Sequence, residues 1–250
     1  MLLDIDGVLV VSWEPIPGAS KTVAWLREHG VPFCLVTNTS SENRAGIAAR
    51  LTKSGIPVEP SDVITAVVAT GSYLRTHHPG TGAFVLSDEE SLEDLGDVLL
   101  VDRDADVVVI GGANEKFSYR NVNRAFRMMM DGAALVGMHR SRYWKKADGL
   151  HLDGGAFLRG LEEAAGVEAV VCGKPAAPFF EEAIQALELP PDRMAMVGDD
   201  MVTDVLAAQD VGLTGVLVRT GKFRPADLER GSPDHVIGSI AGLPELLGRS

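Results

Sequence analysis

Four short motifs carry residue types that could do chemistry. The first is Asp4-Ile5-Asp6-Gly7-Val8. Two carboxylates follow an apolar strand start, and side chains at i and i+2 project from one face of a strand. Curvature after the strand would bring one carboxylate to a metal and leave the other for proton transfer. The plainer reading is a turn, where Asp and Gly are both common. The second motif is Val36-Thr37-Asn38-Thr39, at the end of the apolar run 31–36. Thr39 and Glu42 have capping-box spacing, which predicts a helix start there. Hydroxyls and free backbone N–H groups at such a start suit a phosphate, although capping alone accounts for them equally well. The third is Gly173-Lys174-Pro175. It closes the strand-like run 169–172, and Pro175 would fix the start of the next helix. Lys174 can neutralise a phosphoryl group, although a lone lysine is usually solvated. The fourth is Val197-Gly198-Asp199-Asp200-Met201-Val202-Thr203-Asp204. A hard cation such as Mg²⁺ takes oxygen ligands, typically one or two carboxylates plus water and substrate phosphate.

The elements that must position these residues are legible as pattern. Short apolar runs at 31–36, 194–197 and 215–218 are too apolar to face water on either side, as expected for parallel strands covered by helices. Helical stretches separate them. Phe180, Ala183, Ile184 and Leu187 follow the spacing of one buried helix face, and Gly212 suits the end of another helix. The reading is an α/β fold with a doubly wound parallel sheet, whose ligands gather at the carboxyl ends of the strands. All four motifs fall at such ends. The middle of the chain has its own strand candidates at 83–86, 107–110 and 134–138. It also has a helical face of Val122, Ala125, Phe126 and Met129. It carries none of the four motifs. The expected organisation is a core of residues 1–70 and 173–250 with a smaller α/β domain, residues 71–172, inserted into it.

Composition limits the partners. The 250 residues include 23 basic and 35 acidic ones, for a net charge of −12. That balance argues against nucleic acid and anionic membranes. No apolar stretch approaches the roughly 18 residues of a membrane span. Cys34 and Cys172 lie in apolar runs and read as buried free thiols, which fits a reduced, cytoplasmic setting. Only three residues precede Asp4, fewer than a buried strand usually has. The first strand is therefore expected to be clipped at the assigned start.

Taken in order, Asp-x-Asp-Gly, Thr, Lys and Gly-Asp-Asp-x-x-x-Asp resemble the haloacid dehalogenase superfamily, specifically its phosphatases with a large α/β cap between the Thr and Lys motifs. Residues 126–131, 142–150 and 219–225 are similar to the phospholysine phosphohistidine inorganic pyrophosphate phosphatase group, and the likeness spans nearly the whole chain. The resemblance implies that Asp4 attacks phosphorus and that Asp6 protonates the leaving group and then activates water. It implies that Thr37, Asn38 and Thr39 bind the phosphoryl and that Lys174 neutralises it. Mg²⁺ would be held by Asp4, the main-chain carbonyl of Asp6, and Asp199, with Asp200 and Asp204 in support. It also implies a small phosphorylated substrate and a homodimer. Several relatives carry Ser at the position of Asp6, so the second aspartate here points to ordinary ester hydrolysis.

Other features weigh less. Asp102, Asp104 and Asp106 open like a calcium loop, but Val107 stands where that loop needs Gly. His77 and His78 read as an exposed loop. The stretch His139, Arg140, Arg142, Tyr143, Trp144, Lys145, Lys146 is either a solvated loop or a cap loop facing an anionic substrate. Asp153-Gly154-Gly155 is a specificity loop or a helix start. Met128, Met129 and Met130 read as core filler. Competing functions are a signalling receiver, disfavoured by the nucleophile's place on the first strand, and a dehalogenase, disfavoured by Asp6 and Asp199. A catalytically weak phospho-ligand binding or regulatory protein is the third, disfavoured by the complete motif set.

Overall fold

The computed structural model describes residues 1–146 and 148–248. The chain forms two compact units. One comprises Met1–Thr37, Arg44–Ile64 and Phe180–Ser250; the other comprises Asn38–Asn43 and Thr65–Phe179.

The first unit is built on a six-stranded sheet. Its order is His235–Ile237, Thr214–Val218, Ala195–Gly198, Leu2–Asp4, Cys34–Thr37, Val63–Thr65. The first five strands run parallel. Leu2–Asp4 is central, with Leu3 level with Val197 on one side and Leu35 on the other. Leu2, Leu3, Leu35, Val36 and Val197 are fully buried, because a doubly wound sheet gives neither face to water. Helix Ala19–Glu28 shows how the cover is made. It buries Ala19, Thr22, Val23 and Leu26, the i, i+3, i+4, i+7 stripe. The strand expected over 31–36 begins only at Cys34, since Pro32 offers no N–H to a ladder.

The second unit has its own five-stranded parallel sheet, in the order Val170–Val171, Ala134–Gly137, Val107–Ile110, Gly82–Leu86, Leu99–Leu100. Side-chain alternation divides the central strand between two cores. Val108 and Ile110 join Ala125, Met128, Met129, Leu158 and Leu161, from helices Tyr119–Met130 and Gly154–Ala165. Val107 and Val109 join Ala66, Val67 and Leu74 of helix Ala66–His77, together with Cys172. Ala66 and Val67, which precede residue 71, thus pack within this unit. Met130, unlike Met128 and Met129, is exposed. A hairpin of Tyr143–Lys146 and Gly149–Leu152 takes up the end of the basic stretch. The side chains of Lys145 and Lys146 lie outside the described residues. No helix among the described residues is long and apolar enough to cross a membrane.

Two expected helix starts move. The helix after Thr37 begins at Arg44, not at Thr39. Residues 38–43 belong to the second unit, where the Asn43 amide donates to Glu93 and Ser40 bonds His139. The helix after Lys174 begins at Ala177, and the Lys174–Pro175 bond is cis. Pro178, not Pro175, occupies its first turn, where no N–H is needed. Both cysteines are free and buried, and burial pushes each thiol up to about 12.

Candidate active site

Asp4 ends the central strand and is only 5% exposed. Asp199 directly follows strand Ala195–Gly198, and Asp204 lies in the wide helical turn Met201–Leu206; each is 1% exposed. One carboxylate oxygen from each of the three lies within 4.8 Å of the other two. Among the described residues this is the one such acidic, histidine or cysteine group of three. Like charges this close in a low-dielectric interior repel strongly unless a cation or protons offset them. An all-oxygen, all-carboxylate donor set matches a hard divalent cation, so the triad could hold a metal ion.

The surrounding glycines show how tightly the carboxylates are seated. Gly7 has a φ of +86°, and a Cβ built there would lie 2.0 Å from Asp199 Oδ2. A Cβ on Gly221 would lie 2.1 Å from the same oxygen, and one on Gly198 would lie 2.3 Å from Asp204 Cβ. The Lys222 N–H donates to Asp199 Oδ2 at 2.7 Å, and the Thr220 hydroxyl donates to the Gly7 carbonyl. Gly7→Ala combines a left-handed backbone with this clash. It should cost roughly 1–3 kcal/mol of stability and displace Asp199. A thermal melt with and without added metal checks this; an unchanged melt and unchanged metal shift would contradict it.

The other acidic candidates stand apart from the triad. Asp6 is exposed, in the turn where the Gly7 N–H donates to the Val10 carbonyl. Asp200 caps the following turn, accepting from the N–H groups of Val202 and Thr203 at 2.9 and 3.0 Å. Burial raises its carboxyl, but those two N–H groups and the Lys222 charge outweigh that, and its pKa lies below the ordinary carboxylate value. Asp204, expected in a supporting place, is thus a full member of the cluster, while the Asp200 side chain is occupied in capping.

Thr37 is buried at the end of strand Cys34–Thr37, one residue beyond the partner of Asp4. Asn38 and Thr39 follow it, half-buried, in the second unit. Asn38 spends its amide on the backbone of Lys174. Its Oδ1 accepts from the Lys174 N–H and its Nδ2 donates to the Lys174 carbonyl, both at 2.8 Å. A substituent on Gly173 would meet Met138 O at 2.4 Å and Asn38 Oδ1 at 2.7 Å, which is why glycine precedes the lysine. Lys174 is itself 6% exposed, its Nζ 6.0 Å from the Phe179 ring centroid.

Sequence reasoning assigned no role to Thr220, Gly221 and Lys222. The signal was present: they follow strand Thr214–Val218, at the same sheet edge as Asp4 and Asp199. In the basic stretch, His139 is buried and Arg140 makes a two-pronged pair with Glu162 at 2.8 and 2.9 Å. Asp153 caps helix Gly154–Ala165, so this segment is a helix start.

Comparison with known proteins completes the assignment. Residues 1–100 match the family model of haloacid dehalogenase-like hydrolases, and residues 171–243 match a second model described as HAD-hydrolase-like. Human haloacid dehalogenase-like hydrolase domain-containing protein 2 is 37% identical, over 93% of this chain and 88% of its own. Phospholysine phosphohistidine inorganic pyrophosphate phosphatase of Rattus norvegicus is 36% identical, over 91% and 85%. Among solved structures, p-nitrophenyl phosphatase from Archaeoglobus fulgidus superposes with a TM-score of 0.90 at 30% identity, over 98% of this chain and 97% of that one. The chain belongs to the haloacid dehalogenase-like hydrolase family and is one of its phosphatases.

Proposed function

We propose that this phosphatase hydrolyses small phosphorylated metabolites with Mg²⁺, through an aspartyl-phosphate on Asp4. The observation that carries the reading is the buried triad of Asp4, Asp199 and Asp204 at the carboxyl edge of the sheet. Asp4, Asp199 and the Asp6 carbonyl would hold the cation, with Asp204 beside them. Mg²⁺ supplies charge neutralisation and orientation of the phosphoryl oxygens, the main demands of phosphoryl transfer.

The residues of the chain do the rest. A carboxylate oxygen of Asp4 attacks phosphorus, and the bond from phosphorus to the ester oxygen breaks. The Asp6 carboxyl gives its proton to the departing oxygen. As a carboxylate, Asp6 then takes a proton from water, which attacks the aspartyl-phosphate phosphorus, releasing phosphate and restoring Asp4. The Thr37 hydroxyl and the N–H groups of Asn38 and Thr39 hold the phosphoryl, and Lys174 offsets its charge. The Asn38 amide keeps the Lys174 backbone in place. Residues 71–172 serve as the cap that selects the substrate.

Metal removal tests the reading. Stripped of metal and held in EDTA, the protein should lose p-nitrophenyl phosphate turnover to background, and Mg²⁺ should restore it. Full turnover by the metal-free protein would remove the cation from the reaction.

A further inference from the structure

Outside the acidic triad, Ser40, His139 and Asp153 form a second polar group, all within the second unit. Ser40 and His139 are 5% and 3% exposed. His139 Nε2 lies 2.8 Å from Ser40 Oγ, and the Ser141 N–H donates to His139 Nδ1 at 3.3 Å. Because Nδ1 is the acceptor, the ring proton sits on Nε2, and Nε2–H donates to the Ser40 oxygen. Burial lowers the pKa of His139 more than the Asp153 charge raises it, consistent with a neutral ring.

That tautomer separates the group from a nucleophilic serine site. A histidine whose Nε2 already carries its proton cannot take one from Ser40. Asp153 Oδ2 lies 3.9 Å from Nδ1, beyond hydrogen-bonding range, while Oδ1 accepts from the N–H groups of Gly154 and Ala113 at 2.8 and 3.2 Å. What the group does instead is hold chain. Ser40 is two residues beyond Asn38, whose amide is tied to the Lys174 backbone. The Ser40 carbonyl also accepts from Ser87 Oγ at 3.3 Å, and a substituent on Gly112 would meet Ser40 Oγ at 3.0 Å. Residues 38–40 are therefore pinned at both ends.

We infer that His139 is a positioning residue: its Nε2–H bond to Ser40 holds residues 38–40 in the conformation that presents their N–H groups to the phosphoryl. The inference rests on the proposed phosphoryl-binding role of residues 37–39. Breaking a buried hydrogen bond leaves a polar group unpaired, and the released segment must then be ordered when the anion binds. Those N–H groups meet the phosphoryl in substrate and transition state alike, so the loss appears in KM and not in kcat.

The test uses the full chain with Mg²⁺ and two measurements: inorganic phosphate affinity by calorimetry, and p-nitrophenyl phosphate kinetics. His139→Ala and Ser40→Ala should each weaken phosphate binding and raise KM by about 10-fold, with kcat changed by less than about 3-fold. The double variant should be no worse than either single one, because both remove the same bond. His139→Gln, whose amide nitrogen reaches the place of Nε2, should recover most of the affinity. Unchanged phosphate affinity and KM in Ser40→Ala, or in a folded His139→Ala whose melting temperature alone falls, would overturn the inference. If His139→Ala does not fold, Ser40→Ala and His139→Gln still decide. Failure here would leave the wild-type metal dependence intact, whereas failure of the phosphatase mechanism would appear in the wild type under EDTA.

Discussion

Asp4→Asn should abolish turnover, with a loss on the order of 10⁴- to 10⁶-fold, the scale of removing a covalent nucleophile. An amide is a poor nucleophile and cannot form the acyl phosphate. The fold should survive, because Asn is nearly isosteric and Asp4 sits at a strand end with its ladder made by backbone. Stability without metal should hold or rise, since the substitution removes one of three buried carboxylates whose oxygens lie within 4.8 Å of one another. Two measurements check this: single-turnover kinetics on p-nitrophenyl phosphate with Mg²⁺, and a melt in EDTA. Near-normal turnover in a folded Asp4→Asn protein would remove Asp4 from the mechanism. A melt that drops sharply in EDTA would mean that the triad is not electrostatically strained without a cation.

Asp6→Ser carries the second large effect, and it separates two roles that one carboxylate can play. The Asp6 side chain is exposed and outside the triad, and its proposed contact to Mg²⁺ is through the backbone carbonyl, which the substitution leaves in place. Its carboxyl is assigned proton transfer, typically worth about 10²- to 10⁴-fold in rate. The expected result is a loss of kcat of that size with a much smaller change in the Mg²⁺ requirement. Substrates with poor leaving groups should lose most, because they depend most on protonation. An activated aryl phosphate should lose less in the first step and then accumulate aspartyl-phosphate, visible as a burst. Steady-state and pre-steady-state kinetics across leaving groups and Mg²⁺ concentrations decide it. A collapse of Mg²⁺ affinity with a flat leaving-group dependence would make Asp6 a side-chain ligand and end its acid–base role.

Much of the architecture was legible because it is written in local period. The run at 107–110 is uninterrupted β-branched sequence and becomes a strand buried on both faces, its residues alternating between two cores. The stripe of Phe180, Ala183, Ile184 and Leu187 lies in helix Ala177–Leu187. Gly212 takes a left-handed conformation just past a helix. Where local signals competed with distant partners, the partners won. Thr39 and Glu42 have the spacing of a capping box, yet Ser40 and Asn43 bond within the second unit and the helix waits until Arg44.

The site divides along the same line. The sequence by itself determined which residues stand at strand ends: a run of apolar residues closing on Asp4, Thr37, Lys174 or Asp199 needs no knowledge of the rest of the chain. Only the tertiary structure decided what those side chains do once there. It drew Asp204 into the metal-capable triad through the turn after Asp200, and it placed Gly7 and Gly221 against the Asp199 carboxylate. It turned the Asn38 amide to the Lys174 backbone, 136 residues away, and Ser40 to His139, 99 residues away. The physical reason is that strand period and capping act over a few residues, whereas a buried polar atom must be satisfied by whatever partner folding brings beside it.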